Sequence, residues 1–251
     1  MNPLDRATDA RVLAALDLTS LGEDDTPADI EKLCQKAASA ETRPAAICVY
    51  PEHIVTARRA LDGSRAPRIA VATVLNFPDG ANDPGRALRE TRRALAAGAD
   101  EIDMVFAWRA YVSGDRESGP SILQRCKEIC GKKLLKAIIE SGELSDPLLI
   151  REVCEAAIDA GADFIKTSTG KSRVGATPEA AQVILECLCE RGRGGFKASG
   201  GIRTLAQARH YLELAERICG TGWATPANFR IGSSSTLDAT RAAARTRYSD
   251  Q

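Results

Sequence analysis

Histidine is scarce in this 251-residue sequence, which contains only His53 and His210. Neither has a second histidine or a carboxylate at the spacing that catalytic zinc sites use. The sequence therefore predicts no metal site and argues against a zinc-dependent mechanism.

A net charge is also lacking, since 34 basic residues balance 34 acidic ones. Without an excess of positive charge the protein has no general attraction for nucleic acid or an anionic membrane, so any affinity for phosphate must be local. No stretch approaches the roughly 20 apolar residues of a membrane span, and residues 1–16 lack the pattern of a signal peptide. We expect a cytoplasmic protein with a small-molecule partner; a homodimer is compatible with the sequence, which does not fix the assembly.

The eight cysteines include no C-x-x-C pair, and most fall in helical patterns, at positions 34, 48, 126, 130, 154, 187, 189 and 219. Reduced, mostly buried thiols are the expected state. Cys48, near the end of a strand pattern, could act as a nucleophile, although a small core residue is the simpler interpretation.

Short apolar runs alternate with amphipathic stretches along the whole chain, which is typical of repeated βα units. The strand-like runs lie at 11–18, 45–50, 68–75, 99–106, 134–140, 162–168, 194–200 and 228–234. Helix starts are indicated by Asp146-Pro147 and Thr177-Pro178, and glycines stand where several helices should end. Eight parallel strands predict a single (β/α)8 (TIM) barrel over residues 1–251; a doubly wound open sheet is the alternative, but it would more often carry a G-x-G-x-x-G turn.

Charged residues inside barrel strands are exceptional, because an unpaired charge in a dry interior costs several kcal/mol. Five interrupt the strand patterns here: Asp17, Asp103, Lys136, Lys166 and Lys197. The repeat of AGADEID at 97–103 and AGADFIK at 160–166 gives Asp103 and Lys166 equivalent positions on alternate strands. Side chains of alternate strands share a layer of the barrel, so both could face one cavity.

These charges suggest covalent catalysis by an amine. A lysine becomes a nucleophile when its amine is neutral, and burial beside a second cation favours that state. The resulting imine accepts electrons when a neighbouring carbon–carbon bond breaks, and a carboxylate such as Asp103 could move the proton. The residues alone leave Lys166 and Lys197 open as nucleophile.

Glycine and serine follow the last three strands, where barrels often bind phosphate. Their backbone N–H groups can approach an anion. The candidate phosphate and substrate residues are Gly170, Lys171, Gly200, Gly201, Gly232, Ser234 and Ser235.

Several motifs resemble the 2-deoxyribose-5-phosphate aldolase family over nearly the whole chain: ALDLTSL (15–21), AAICVYP (45–51), TVLNFP (73–78), GADEIDMVF (98–106), LLKAIIESGEL (134–144), GADFIKTSTG (161–170) and GFKASGGIRT (195–204). The resemblance implies a class I aldolase that cleaves 2-deoxy-D-ribose 5-phosphate reversibly without a cofactor.

By this resemblance Lys166 is the Schiff-base lysine and Lys197 the second active-site lysine. Asp103 is the acid/base and Asp17 the carboxylate that orders the lysines, while the loop residues above match the phosphate and substrate loops. The chain departs from the family at Gly22, where relatives carry asparagine, at Ala198-Ser199, and in a shorter tail whose Tyr248 could match a terminal tyrosine.

Two other functions are compatible with the same residues. A sugar-phosphate isomerase or synthase would use Asp103 or Asp17 as a base without covalent chemistry. A non-catalytic phosphosugar-binding barrel would keep the loops alone.

Overall fold

The computed structural model describes residues 3–64 and 69–236, which form a closed barrel of eight parallel strands with helices outside. The strands are β1 (Leu16–Ser20), β2 (Ala46–Val49), β3 (Ala70–Leu75), β4 (Glu101–Val105), β5 (Leu134–Ile138), β6 (Phe164–Lys166), β7 (Gly195–Ser199) and β8 (Phe229–Ser233). Each pairs with the next, and β8 closes the barrel against β1. The predicted (β/α)8 barrel is confirmed.

The helices are α1 (Pro3–Ala14), α2 (Pro27–Ala38), α3 (Ile54–Asp62), α4 (Pro84–Ala96), α5 (Trp108–Val112), α6 (Ser118–Cys130), α7 (Ser141–Leu144), α8 (Pro147–Asp159), α9 (Pro178–Arg191) and α10 (Leu205–Cys219), with a short 3-10 helix at Pro51–His53. The two predicted helix starts are confirmed. Asp146 and Thr177 are N-caps whose side chains accept hydrogen bonds from backbone N–H groups of the first turn. Among the described residues, no helix has the length and apolar character to cross a membrane.

The first strand prediction is wrong in its first half. Residues 11–14 end α1, and β1 begins only at Leu16. Val12 and Leu13 are buried as a strand's residues would be, while Arg11 pairs with Glu216 of α10. An apolar run of this length fits either a buried helix end or a strand, so periodicity alone could not separate them.

The main core lies between the outer faces of the strands and the helices, as with the contacting rings of Phe196 and Phe229. The barrel interior has two halves of different character. The β2–β3 side is lined by small apolar side chains, including Cys48 and Ala72. The remaining strands carry buried charged groups, so a charged cluster faces an apolar wall.

The expectation of eight reduced cysteines is wrong for one pair. Cys189 of α9 and Cys219 of α10 form a disulfide with their Cα atoms 5.7 Å apart, while the other six cysteines are free and buried. The barrel repeat places the ends of successive outer helices side by side, and no sequence spacing shows this. The disulfide joins carboxyl ends of helices, away from the carboxyl ends of the strands.

Candidate active site

The four residues predicted to be catalytic form one buried cluster in the barrel. Lys166 Nζ donates to Asp103 Oδ2 at 2.9 Å, and Lys197 Nζ donates to the same oxygen at 2.7 Å. Lys197 also donates to Asp17 Oδ2 at 2.5 Å. The register of β6 and β7 sets Lys166 directly beside Lys197. The structure therefore brings together side chains from four strands that lie far apart in sequence.

A third lysine, Lys136 of β5, completes this cluster. Its Nζ donates to Asp103 Oδ1 at 2.8 Å and to Glu101 Oε2 at 2.5 Å, and lies 3.6 Å from Asp17 Oδ2. The side chains of Lys136 and Lys197 are 0% exposed, whereas that of Lys166 is 2% exposed. Of these three side chains, that of Lys166 alone keeps any exposed surface.

The charges of the cluster stabilise one another against the cost of burial. Burial by itself would raise the pKa of Asp103, but the ammonium groups of Lys136, Lys166 and Lys197 outweigh it and hold the pKa well below its usual range. The pKa of Asp17 is likewise lowered, because the nearby cations exceed the effect of burial.

The two fully buried lysines are affected in the opposite sense. Burial would lower the pKa of Lys197, but Asp103 and Asp17 raise it above its ordinary value. The same balance raises the pKa of Lys136, with Glu101 as a further carboxylate. Both lysines are therefore ammonium ions throughout the neutral range.

Sequence reasoning missed two charged members of the interior, Glu101 of β4 and Arg230 of β8. Both interrupt strand patterns, in ADEIDMVF and NFRIGSS, so the signal that found the other charges was present for them too. Their contacts link them to Asp17 and Lys136.

A cavity of about 430 Å³ opens at the carboxyl ends of β1, β6, β7 and β8. Those strands also carry Asp17, Lys166 and Lys197. The lining includes most of the predicted phosphate residues: Gly170, Lys171, Gly200, Gly201, Gly232 and Ser234. The structure does not place Ser235 in the lining; its hydroxyl donates to Arg203 O at 3.1 Å.

Two glycines are required by close approach. Gly200 has φ +92°, and a Cβ there would come within 3.0 Å of Gly175 Cα, so the loops after β6 and β7 touch through their backbones. A Cβ at Gly232 would lie 2.6 Å from Ser199 Oγ and 3.3 Å from Lys197 Cε. A side chain at position 232 would therefore crowd the second lysine.

Arg203 and Lys171 provide positive charge at this cavity. Arg203 is exposed, lines the cavity and follows the glycine pair by two residues, a signal that sequence reasoning passed over. Lys171 Nζ donates across the mouth to Leu21 O at 2.8 Å. The cavity thus combines exposed cations with glycine-rich backbone, a combination suited to phosphate.

A buried carboxylate fixes the loop that carries Gly170 and Lys171. Glu140 is 3% exposed and has the left-handed backbone conformation with φ 53°. Its oxygens accept from Thr169 Oγ1 at 2.6 Å, from Thr169 N at 3.2 Å and from Ser172 Oγ at 2.9 Å. An uncommon backbone conformation in a non-glycine residue often marks a functional region.

Gly22 is one of the positions at which the chain departs from the family motifs. Gly22 N donates to Asp25 Oδ2 at 2.9 Å, and a Cβ at position 22 would lie 2.7 Å from Asp25 Oδ1. An asparagine there would need Asp25 to move. Tyr248 lies outside the described residues.

Cys48 is fully buried beside the charged cluster, and burial raises the pKa of its thiol. It is therefore a neutral core thiol in this structure. Within residues 3–64 and 69–236, no group of three His, Cys, Asp or Glu side chains could hold a metal ion.

The comparison with known proteins agrees with the barrel and its motifs. Residues 11–228 match the model of the DeoC/LacD family aldolases. An aldolase named QR15 is 30% identical, with a TM-score of 0.79, and the match covers 94% of this chain and 97% of QR15. The chain therefore belongs to the DeoC/LacD aldolase family and is an enzyme of the aldolase class.

Two further solved structures share the fold. A candidate deoxyribose-phosphate aldolase from Toxoplasma gondii ME49 has a TM-score of 0.86 at 23% identity, covering 98% of this chain and 96% of that one. Another, from Coccidioides immitis, has a TM-score of 0.79 at 26% identity, covering 92% of this chain and 86% of that one.

Proposed function

We propose that this enzyme is a class I aldolase that reversibly cleaves 2-deoxy-D-ribose 5-phosphate into D-glyceraldehyde 3-phosphate and acetaldehyde, through an imine on Lys166. Family membership supports the aldol chemistry. The similar candidate deoxyribose-phosphate aldolases support the substrate, and so does the glycine-rich cavity with Lys171 and Arg203.

The contacts of the three buried lysines support Lys166 as the nucleophile. Lys136 and Lys197 each donate to two carboxylates, which stabilise their charged forms. Lys166 donates to the carboxylate of Asp103, which Lys197 shares, and has no other carboxylate contact among the described residues. An amine must be neutral to attack a carbonyl, so the lysine with the least support for its charge is best suited.

Asp103 is suited to moving the proton. It is held as a carboxylate, within hydrogen-bonding distance of Lys166, and can accept a proton directly or through a bound water. In the proposed cleavage it takes the proton of the substrate hydroxyl as the carbon–carbon bond breaks. The bonding electrons enter the imine to give an enamine, which is then protonated at carbon and hydrolysed to acetaldehyde. Asp17 holds Lys197 in place through its hydrogen bond.

The phosphate is assigned to the cavity residues that lie beyond this cluster. Backbone N–H groups of Gly170, Gly200, Gly201 and Gly232, with the Ser234 side chain, are proposed to bind the phosphate oxygens. Ser235 is proposed to act indirectly, because its hydroxyl donates to Arg203 O and so holds the loop that carries Arg203.

The test is release of glyceraldehyde 3-phosphate from 2-deoxyribose 5-phosphate, measured with a coupled dehydrogenase, with and without EDTA. We expect cleavage that EDTA does not change, and none from Lys166→Arg, which keeps the positive charge but not the nucleophile. Absence of cleavage, or activity lost to EDTA and restored by zinc, would overturn the proposal.

A cytoplasmic location and a homodimer stay predictions. Sedimentation equilibrium checks the homodimer.

A further inference from the structure

An ion pair lies in the barrel interior one layer nearer the amino ends of the strands than the catalytic cluster. Arg230 donates to both oxygens of Glu101, at 2.9 Å to Oε1 and 3.1 Å to Oε2. Both side chains are at least nine-tenths buried. Glu101 stands two residues before Asp103 on β4, so the two carboxylates point to the same side of the strand.

This pair is bonded to both sides of the cluster above it. Arg230 Nη1 donates to Asp17 Oδ1 at 2.7 Å, and Glu101 Oε2 accepts from Lys136 Nζ at 2.5 Å. Asp17 in turn holds Lys197, and Lys136 holds Asp103. The pair therefore closes a ring of hydrogen bonds beneath Asp103, and neither member belongs to the described lining of the substrate cavity.

The ring itself is balanced, with three cations and three carboxylates, but Lys166 adds a fourth cation through its contact with Asp103. Among the described residues, the ring and Lys166 together contain four cations and three carboxylates, contributed by β1 and β4 to β8: Asp17, Glu101, Asp103, Lys136, Lys166, Lys197 and Arg230. On the remaining wall, β2 presents the neutral thiol of Cys48 and β3 the apolar Ala72 and Val74. With every group ionised, the buried cluster holds one positive charge in excess.

An excess charge at a buried site is costly, and loss of one proton from a lysine removes it. The guanidinium of Arg230 cannot supply that proton at physiological pH. Lys136 and Lys197 are each held by two carboxylates. Lys166 has a single carboxylate contact, with Asp103. Loss of its proton therefore removes the excess charge and breaks the fewest ion pairs.

We propose that Arg230 and Glu101 are positioning residues that fix Asp17 and Lys136 and set the charge balance of the ring, so that Lys166 presents a neutral amine to the substrate. This inference rests on the proposed imine chemistry, because it explains how Lys166 is activated. It assigns a functional effect to residues that do not touch the substrate.

The excess charge predicts how the pH dependence of imine formation changes in three variants. Arg230→Met removes the excess, so imine formation should require a higher pH by about one unit. Glu101→Gln doubles the excess, so imine formation should extend to lower pH by a similar amount. The double variant loses one charge of each sign, which restores the excess of one and should return the pH dependence close to that of the wild type.

The experiment measures borohydride trapping of acetaldehyde as a function of pH, with thermal unfolding to show that each variant is folded. Opposite shifts for the single variants, with the double variant between them, support the inference. Arg230→Lys keeps the charge but not the bidentate contact, so its pH dependence should stay in place even if its activity falls.

The inference is overturned if the folded variants lose activity with the pH dependence unmoved, which is what a purely structural role gives. If Arg230→Met does not fold, the pH dependence of imine formation is compared between Glu101→Gln and the double variant. A shift to lower pH in Glu101→Gln that the double variant reverses supports the inference, and no difference between the two overturns it. A wild-type protein that forms no imine on Lys166 contradicts the proposed function itself. Imine formation by the wild type with unshifted variants contradicts only the role of Arg230 and Glu101.

Discussion

Lys166 and Lys197 donate to the same oxygen atom, Oδ2 of Asp103, at 2.9 and 2.7 Å. Their Nζ atoms can therefore be no farther apart than the sum of these distances, 5.6 Å. The shared oxygen holds the two amines close, and of the two lysines only Lys197 also contacts a second carboxylate, that of Asp17.

Replacing Lys197 with leucine should move the pH–rate profile to higher pH. Because the pKa of Lys197 is raised by Asp103 and Asp17 against the effect of burial, its charge acts on Lys166 throughout the neutral range. At about 5.6 Å and an effective dielectric of about 20, removal of that charge corresponds to about two pH units. Activity at neutral pH should fall steeply and recover partly in alkali, as measured by kcat/KM against pH.

Lys197→Arg is the matched control, since it keeps the charge and should keep the alkaline limb in place. A loss of activity at every pH in Lys197→Leu, with that limb unmoved, would show that Lys197 acts through proton transfer or substrate contact. The electrostatic role would then be wrong.

Ser234→Glu should discriminate between phosphorylated and unphosphorylated sugars. Ser234 lines the cavity and is exposed there, so a carboxylate at this position would repel a phosphate dianion. We expect KM for 2-deoxyribose 5-phosphate to rise by about tenfold or more, with little change for 2-deoxyribose. Ser234→Gln, which adds similar volume without charge, is the control. Equal losses on both sugars would mean that Ser234 has a structural role alone.

The disulfide between Cys189 and Cys219 should contribute to stability without contributing to catalysis. Because it closes a loop with a sequence separation of 30, the chain-entropy estimate for its removal is roughly 3–4 kcal/mol of unfolding free energy. The double variant Cys189→Ser with Cys219→Ser should unfold at lower denaturant concentration and keep its kcat. Thiol titration of the denatured, non-reduced protein should find six free thiols; eight would contradict the pairing.

Much of the barrel could be predicted because the strands carry apolar runs and at least two of the connections carry a recognisable helix start, at Asp146-Pro147 and Thr177-Pro178. Asp103 and Lys166 could be placed together because a charge inside a barrel strand is rare and the two sit in a repeated motif. The same criterion, a charged residue inside a strand pattern, would also have selected Glu101 in ADEIDMVF and Arg230 in NFRIGSS.

Other features depend on contacts that no local pattern records. The residues alone left Lys166 and Lys197 open as nucleophile; the family resemblance implies Lys166, and the number of carboxylates that each lysine touches in the folded barrel supports that proposal. The disulfide depends on two helix ends that the repeat brings side by side. Residues 11–14 fit a helix end as well as a strand until α10 is seen to pack against them.

The most direct test of the central claim is reduction by borohydride in the presence of acetaldehyde, followed by peptide mapping. An imine on Lys166 would be reduced to a stable ethylated amine, so we expect inactivation and the added mass on the peptide that contains FIKTSTG. Lys166→Arg should remain unmodified at this site and serve as the control. Modification of Lys197 with Lys166 intact would reverse the assignment, and no modification of either lysine would contradict the Schiff-base mechanism.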